Sequence, residues 1–116
     1  MNLGISGKHA IVCASSKGLG RACAMSLAQN GVSVVINGRG EKALDQTARD
    51  IASATGIEVI QVQGDVGRPE IQRALLSACP APDILVNNNG GPPFRNFKAL
   101  DRAAMVAGVT MNMITP

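Results

Sequence analysis

A run of small residues around Gly18 and Gly20 is the part of this sequence best suited to chemistry. It follows an apolar segment at residues 10–14 and precedes residues that favour a helix. Because glycine has no Cβ, the backbone of such a turn can approach a ligand closely. The first N–H groups and the positive dipole end of the following helix attract negative charge. We therefore predict a cradle for nucleotide phosphates here; the alternative is that the glycines only form a turn.

A cation, and no carboxylate, follows the second predicted strand. Dinucleotide sites that prefer NAD place an Asp or Glu about 20 residues beyond the glycine turn, where it binds the ribose 2′-OH. This chain has Asn37, Gly38 and Arg39 there. An Arg can bind a 2′-phosphate bidentately, and Lys17 within the glycine turn adds a second cation. The two cations predict NADP(H) in preference to NAD(H); the alternative is that both are solvated surface charges.

Two further polar segments follow the third and fourth predicted strands. Asp65 could accept a hydrogen bond from an adenine amino group, with the backbone of Val66 beside it. Alternatively, Asp65 caps the N-terminus of the next helix. Residues 87–90 read Asn-Asn-Asn-Gly. Asparagine amides both donate and accept, so they can connect neighbouring strand ends beside a ligand; alternatively, these four residues form only a turn.

Apolar runs and amphipathic segments alternate along the whole chain, which indicates repeating βα units and a parallel sheet with right-handed crossovers. Strands are predicted at residues 10–14, 32–37, 57–63 and 83–87. Helices are predicted at residues 18–30, 41–55 and 68–79, with one or two more over 100–113. We predict one α/β domain over residues 1–116, a Rossmann-like doubly wound sheet in strand order 3-2-1-4, incomplete after the fourth strand and the following helix.

Composition excludes several classes of protein. The chain has 116 residues, of which 46% are hydrophobic and 16% charged, as in globular domains. The net charge of +3 comes without a basic run, so we expect no nucleic acid as a partner. No stretch of about 18 apolar residues occurs, so we expect no membrane partner either.

The three cysteines show no CxxC spacing, so neither a disulfide framework nor a metal site is predicted. We expect Cys13, Cys23 and Cys79 to be small buried thiols in a reducing compartment. No signal peptide is recognisable at the N-terminus, and we therefore expect a cytoplasmic protein.

In their order and spacing, these motifs resemble those of the classical short-chain dehydrogenase/reductase family. The family's Thr-Gly-x-x-x-Gly-x-Gly cradle is similar to residues 13–20, with Cys13 in place of the Thr and Ala14 in place of the first Gly. Ala14 therefore adds a methyl group to a turn that favours glycine. The resemblance covers the whole chain, and the nearest types within the family are 3-oxoacyl-carrier-protein reductases.

The other motifs of the family are similar to later segments. Its Asp-Val pair is matched at residues 65–66, and its Asn-Asn-Ala-Gly motif at 87–90, with Asn89 in place of the Ala. Its helix asparagine, which helps to hold a water of the proton relay, is matched by Asn112, the one residue of the catalytic set that we assign. The cofactor-binding residues that the resemblance implies are Ser15, Ser16, Lys17, Gly18, Leu19, Gly20, Arg39, Asp65, Val66, Asn87 and Gly90.

The resemblance implies an NADP(H)-dependent oxidoreductase that reduces a small-molecule carbonyl or oxidises an alcohol, with its cofactor-binding half represented here. The family's active site adds a Ser and a Tyr-x-x-x-Lys beyond the position of Asn112. The tyrosine acts as the proton donor, and this chain contains no tyrosine. We therefore expect the 116 residues alone to be inactive, as the N-terminal portion of a longer enzyme or as a truncated product.

Two other hypotheses stay open at this point. The chain could be a non-catalytic nucleotide-binding module, or a fragment that folds only with partners. Family members usually form dimers or tetramers, so a homo-oligomer is expected of the full-length form. The loop over residues 90–97, which contains Phe94 and Phe97, could line a substrate entrance or pack as a loop anchor.

Overall fold

The computed structural model describes residues 3–88 and residue 102. Strands and helices alternate along the described chain: β1 His9–Val12, α1 Gly18–Gln29, β2 Ser33–Gly38, α2 Glu41–Thr55, β3 Val59–Gln63, α3 Pro69–Ala78 and β4 Ile84–Val86. All strand pairs are parallel, and the order is β3-β2-β1-β4. The predicted doubly wound sheet and its strand order are thereby confirmed. Apart from residue 102, which is helical, the predicted helices over 100–113 and the loop over 90–97 lie outside the described residues.

The central strands β1 and β2 are covered on both faces, as their continuous apolar runs predict. Ile11 pairs with Val35, and both are buried. β1 ends at Val12, two residues before its predicted end. The reason is that Ala14 has a φ of +47°, a left-handed conformation that turns the chain out of the sheet.

Helices α1 and α2 cover one face of the sheet. α2 has the bounds that its periodicity predicts, and it buries Leu44, Ala48 and Ile51 along one stripe. Its opposite face carries an ion pair between Asp45 and Arg49, four residues apart, at 3.0 Å. Within the described residues, no helix combines the length and the apolar character that a bilayer-spanning segment needs.

Helix α3 covers the other face, where Leu75 packs with Cys13 and Cys79 in a smaller buried cluster. The prediction that all the cysteines are buried is wrong for Cys23, which is exposed on α1. The residue beside it, Ala24, takes the position that faces the core, so Cys23 points to the surface.

Candidate functional site

A cavity of about 450 Å³ opens at the carboxyl ends of the strands. In an open parallel sheet this is the edge where ligands bind. The cavity is lined by the β1–α1 loop, the ends of β2 and β3, the beginning of α2, and the segment after β4. The lining residues are Ala14, Ser16, Lys17, Leu19, Asn37, Gly38, Arg39, Gly40, Ala43, Gly64, Asp65, Val66 and Asn88.

Six of the predicted cofactor-binding residues thus meet around one cavity, although they come from three separate segments of the chain, each following a different strand. They are Ser16, Lys17, Leu19, Arg39, Asp65 and Val66. Gly18 and Gly20 adjoin it as the first turn of α1. Asn87 lies on the surface at the end of β4, outside the cavity lining. Asn89, Gly90 and Asn112 lie outside the described residues.

The glycine turn is packed so closely that a side chain at Gly20 has no room. A Cβ there would collide with the carbonyl oxygen of Ala14 and would lie 2.9 Å from Nδ2 of Asn88. Gly18 has a φ of +63°, which favours glycine for a different reason. Among the described residues, no side chain caps the N-terminus of α1, and its first turn contains no acidic residue. These features fit a bound anion.

Ala14 lies at the centre of this turn and is strained. It is the one non-glycine residue of the described chain that has a positive φ, a conformation that costs an alanine roughly 1–2 kcal/mol. Its N–H donates to Oδ1 of Asn37 at 3.1 Å, and its carbonyl accepts from Nδ2 of Asn88 at 3.2 Å. The bond from Asn88 confirms that an asparagine of the 87–90 motif connects neighbouring strand ends.

Asn37 connects the ends of three strands, a role that sequence reasoning missed. Its side chain is 1% exposed. Besides accepting from Ala14, its amide donates 3.0 Å hydrogen bonds to the carbonyls of Val62 and Gly64. In the sequence, residue 37 stands out only as a position without a carboxylate. The available signal was a polar residue at the end of a continuous apolar strand, where a buried amide needs partners.

Ser15 lies beneath the turn and does not line the cavity. Its hydroxyl donates to the carbonyl of Val12 at 2.8 Å and accepts from the N–H of Asn37 at 3.0 Å. Its own N–H donates to the carbonyl of Asn37 at 2.6 Å. The hydroxyl is therefore committed to the backbone, and Ser15 shapes the turn from within.

Thr47 is a second buried polar residue that supports the turn. It lies on α2 and is 2% exposed. Its hydroxyl donates to the carbonyl of Ser16 at 2.8 Å. The β1–α1 loop is thus held from β2 by Asn37 and from α2 by Thr47.

Lys17 and Arg39 are exposed on the rim of the cavity. In the described part of the chain, neither forms an ion pair with a carboxylate. Two cations on one rim without carboxylate partners favour an anionic ligand.

Asp65 lines the cavity and orders the loop before α3. Its Oδ1 accepts the N–H of Gly67 at 2.8 Å, and its carbonyl accepts the N–H of Arg68 at 3.0 Å. The alternative that Asp65 caps α3 is wrong, because the residue at the N-cap is Arg68. Val66 is buried next to Asp65.

Cys13 precedes the strained turn, and burial raises the pKa of its thiol. A hydrogen bond from the backbone of Asn88 opposes this increase in the pKa without cancelling it. The thiol therefore stays protonated at neutral pH. Within the described residues, no cluster of three His, Cys, Asp or Glu side chains is arranged to hold a metal ion.

Comparisons with known proteins agree with this geometry. The sequence model of the family described as short chain dehydrogenase matches residues 8–116. The oxidoreductase YvaG of Bacillus subtilis is 41% identical over 91 residues, which are 78% of this chain and 34% of that protein. The 3-oxoacyl-[acyl-carrier-protein] reductase FabG of Staphylococcus epidermidis is 32% identical over 87 residues, 72% of this chain and 36% of that protein.

Solved structures share the fold. L-sorbose reductase from Gluconobacter frateurii, in complex with NADPH and L-sorbose, has a TM-score of 0.88 and 29% identity, covering 99% of this chain and 45% of that one. The chain spans about a third of the length of these curated relatives and under half of that structure. The family match extends over nearly all of the sequence and agrees with the parallel 3-2-1-4 sheet and its glycine turn. The chain belongs to the short chain dehydrogenase family.

Proposed function

We propose that this chain binds NADP(H) in the cavity at the carboxyl ends of its strands. The observation that carries the proposal is the rim of that cavity, where Lys17 and Arg39 stand without carboxylate partners in the described chain. A dinucleotide with a 2′-phosphate supplies the negative charge that this rim lacks. Gly20, where a Cβ would collide with the carbonyl oxygen of Ala14, lets α1 begin close against the end of β1, and this brings the N-terminus of the helix to the cavity.

Each part of the cavity has a proposed role. The turn formed by Ser15, Ser16, Lys17, Gly18, Leu19 and Gly20 would hold the pyrophosphate and ribose, with Ser15 acting through the shape of the turn. Arg39 would bind the 2′-phosphate, and Asp65 with Val66 would border the adenine. Asn87 and Gly90 would complete the adenosine side of the site.

The reaction proposed for the whole protein is the reduction of a small-molecule carbonyl or the oxidation of an alcohol. Support comes from the family and from relatives such as the acyl-carrier-protein reductase and L-sorbose reductase. A bound nicotinamide dinucleotide supplies or accepts the hydride. Asn112 is proposed to belong to the catalytic set. Since the 116 residues contain no tyrosine, we propose that they perform the binding and do not catalyse alone.

The cofactor proposal is tested by titrating the purified protein with NADPH and with NADH and measuring both dissociation constants. NADPH is expected to bind more tightly. Arg39→Gln should weaken NADPH binding roughly 10- to 100-fold, since hydrogen bonds to charged groups contribute about 1.5–3 kcal/mol, and should leave NADH binding unchanged. Arg73→Gln, an exposed arginine on α3 that does not line the cavity, is the matched control. Tighter binding of NADH, or no saturable binding of NADPH, would contradict the proposal.

The reaction is tested separately, by following NADPH absorbance with a panel of ketones, aldehydes and acyl thioesters. The 116 residues alone are expected to bind NADPH without consuming it. Turnover by these residues alone would refute the proposal that they only bind, whereas binding without turnover supports it.

A further inference from the structure

We propose that Ser16 is a specificity-determining residue, which keeps position 38 free of any side chain and so keeps a carboxylate away from the 2′-phosphate. The inference rests on the proposed binding of NADP(H). It concerns a pair of residues from different loops, Ser16 after β1 and Gly38 at the end of β2, which both line the cavity.

The space at Gly38 is closed by Ser16. A Cβ at position 38 would lie 2.8 Å from both Cβ and Oγ of Ser16. Side chains do not approach this closely, so one of the two residues would have to move. Gly38 is not among the described glycines that have a positive φ. Its backbone conformation is therefore open to other residue types, and the neighbouring side chain alone demands glycine.

Ser16 cannot easily give way. Its carbonyl accepts the hydroxyl of buried Thr47 at 2.8 Å. The preceding residue, Ser15, is held by two hydrogen bonds to the backbone of Asn37, at 2.6 and 3.0 Å. Rotation of the Ser16 hydroxyl would relieve the contact to Oγ and leave the contact to Cβ. Moving Cβ would strain the hydrogen bonds on either side, of which those of Ser15 are buried, and this is costly.

Position 38 adjoins Arg39, the residue proposed to bind the 2′-phosphate. In sites that prefer NAD, a carboxylate in this region binds the ribose hydroxyl, and the same carboxylate would repel a 2′-phosphate. By closing the space at Gly38, Ser16 excludes that carboxylate sterically. A change of preference to NAD(H) therefore requires two substitutions, one to supply the carboxylate and one to make room for it.

The test is a double-mutant cycle on the full chain with Gly38→Asp, Ser16→Gly and the two combined, measuring the dissociation constants of NADPH and NADH for each. Gly38→Asp alone should weaken both cofactors at least about tenfold, because the displaced turn no longer fits a pyrophosphate. Ser16→Gly should keep the preference for NADPH. The double variant should recover NADH binding at least about tenfold over Gly38→Asp and should bind NADH more tightly than NADPH.

A second cycle, with Gly38→Ala and Ser16→Gly, adds only the Cβ and so separates crowding from charge. Gly38→Ala should lower the thermal midpoint and weaken NADPH binding, and Ser16→Gly should remove both effects. This cycle decides the question if Gly38→Asp does not fold. The proposal is overturned if Gly38→Asp alone reverses the preference as fully as the double variant, or if Ser16→Gly leaves the effects of Gly38→Ala unchanged. Failure of the unmodified chain to bind NADPH would refute the proposed function instead.

Discussion

The two ends of the parallel sheet are held together in different ways. At the amino ends, neighbouring segments pair mainly through the backbone: the N–H of Ser33 donates to the carbonyl of Lys8 at 3.0 Å, and the N–H of Asp83 donates to the carbonyl of His9 at 2.9 Å. The carboxylate of Asp83 adds one side-chain bond there and accepts the N–H of His9 at 3.0 Å.

At the carboxyl ends, two backbone bonds remain, from the N–H of Ser15 to Asn37 at 2.6 Å and from the N–H of Gly64 to Gly38 at 2.9 Å. There the buried side chain of Asn37 and the side chain of Asn88 add further connections.

The difference follows from the cavity. Where the chain leaves the strands to surround a ligand site, only some of the backbone groups of one loop still face those of the next. Buried N–H and C=O groups must still find partners, so side-chain amides and hydroxyls replace the missing backbone contacts. A parallel sheet of this kind therefore needs polar residues at the end where it binds.

Among the changes that test this difference between the two ends of the sheet, removal of the Asn37 amide should have the largest effect on the free energy of unfolding. Asn37→Ala leaves the Ala14 N–H and the carbonyls of Val62 and Gly64 without their bonds, and we expect a loss of about 3 kcal/mol in the free energy of unfolding. Urea denaturation measures it. Asn30→Ala is the matched control, because Asn30 donates one exposed bond to Ser26, and its loss should stay below about 1 kcal/mol. Equal losses in the two variants would show that the carboxyl ends do not depend on this buried amide.

Relief of the strain at Ala14 should have a smaller effect on stability, and this change should stabilise the protein. Ala14→Gly relieves a φ of +47° and is expected to stabilise the protein by about 0.5–1 kcal/mol, after the greater flexibility of glycine in the unfolded chain is deducted. Near the amino ends, the turn at Gly31 has a φ of +85°, and a Cβ there would lie 2.5 Å from Oγ of Ser6. Gly31→Ala should therefore destabilise by more than about 1 kcal/mol. Thermal melts of both variants check the two signs, and destabilisation by Ala14→Gly would contradict the strain at residue 14.

The smallest expected effect concerns pH. Because burial raises the pKa of Cys13 above its ordinary value of 9.0, the folded protein keeps this proton to a higher pH than the unfolded chain does. The stabilisation that comes from the protonated Cys13 thiol is fully present below the pKa of the unfolded chain. It decreases as the pH rises towards the higher pKa of the folded protein. Urea denaturation at about pH 8 and about pH 10 should show a smaller decrease for Cys13→Ala than for the unmodified chain. Cys23→Ala, at an exposed position, should leave the decrease as it is.

Local patterns were enough to predict the elements and their order. The bounds of α2 follow from an apolar stripe that ends at Gly56, which adopts the left-handed conformation expected of a helix stop. Polar Gln61 and Gln63 interrupt the apolar residues of β3, a pattern that favours an edge strand, and β3 lies at one side of the described sheet. The cavity residues Lys17, Arg39 and Asp65 were found because each follows a predicted strand, and parallel strands end at one edge.

By itself, the sequence determined the βα repeat, the strand order and the set of loops that meet, because these depend on periodicity and on chain connectivity. Only the tertiary structure decided which side chains hold those loops. The hydrogen bonds of Asn37, the support that Thr47 gives Ser16, and the closed space between Ser16 and Gly38 join residues more than 20 positions apart. Such contacts depend on distances of a few tenths of an ångström between packed segments, which no local pattern of residues encodes.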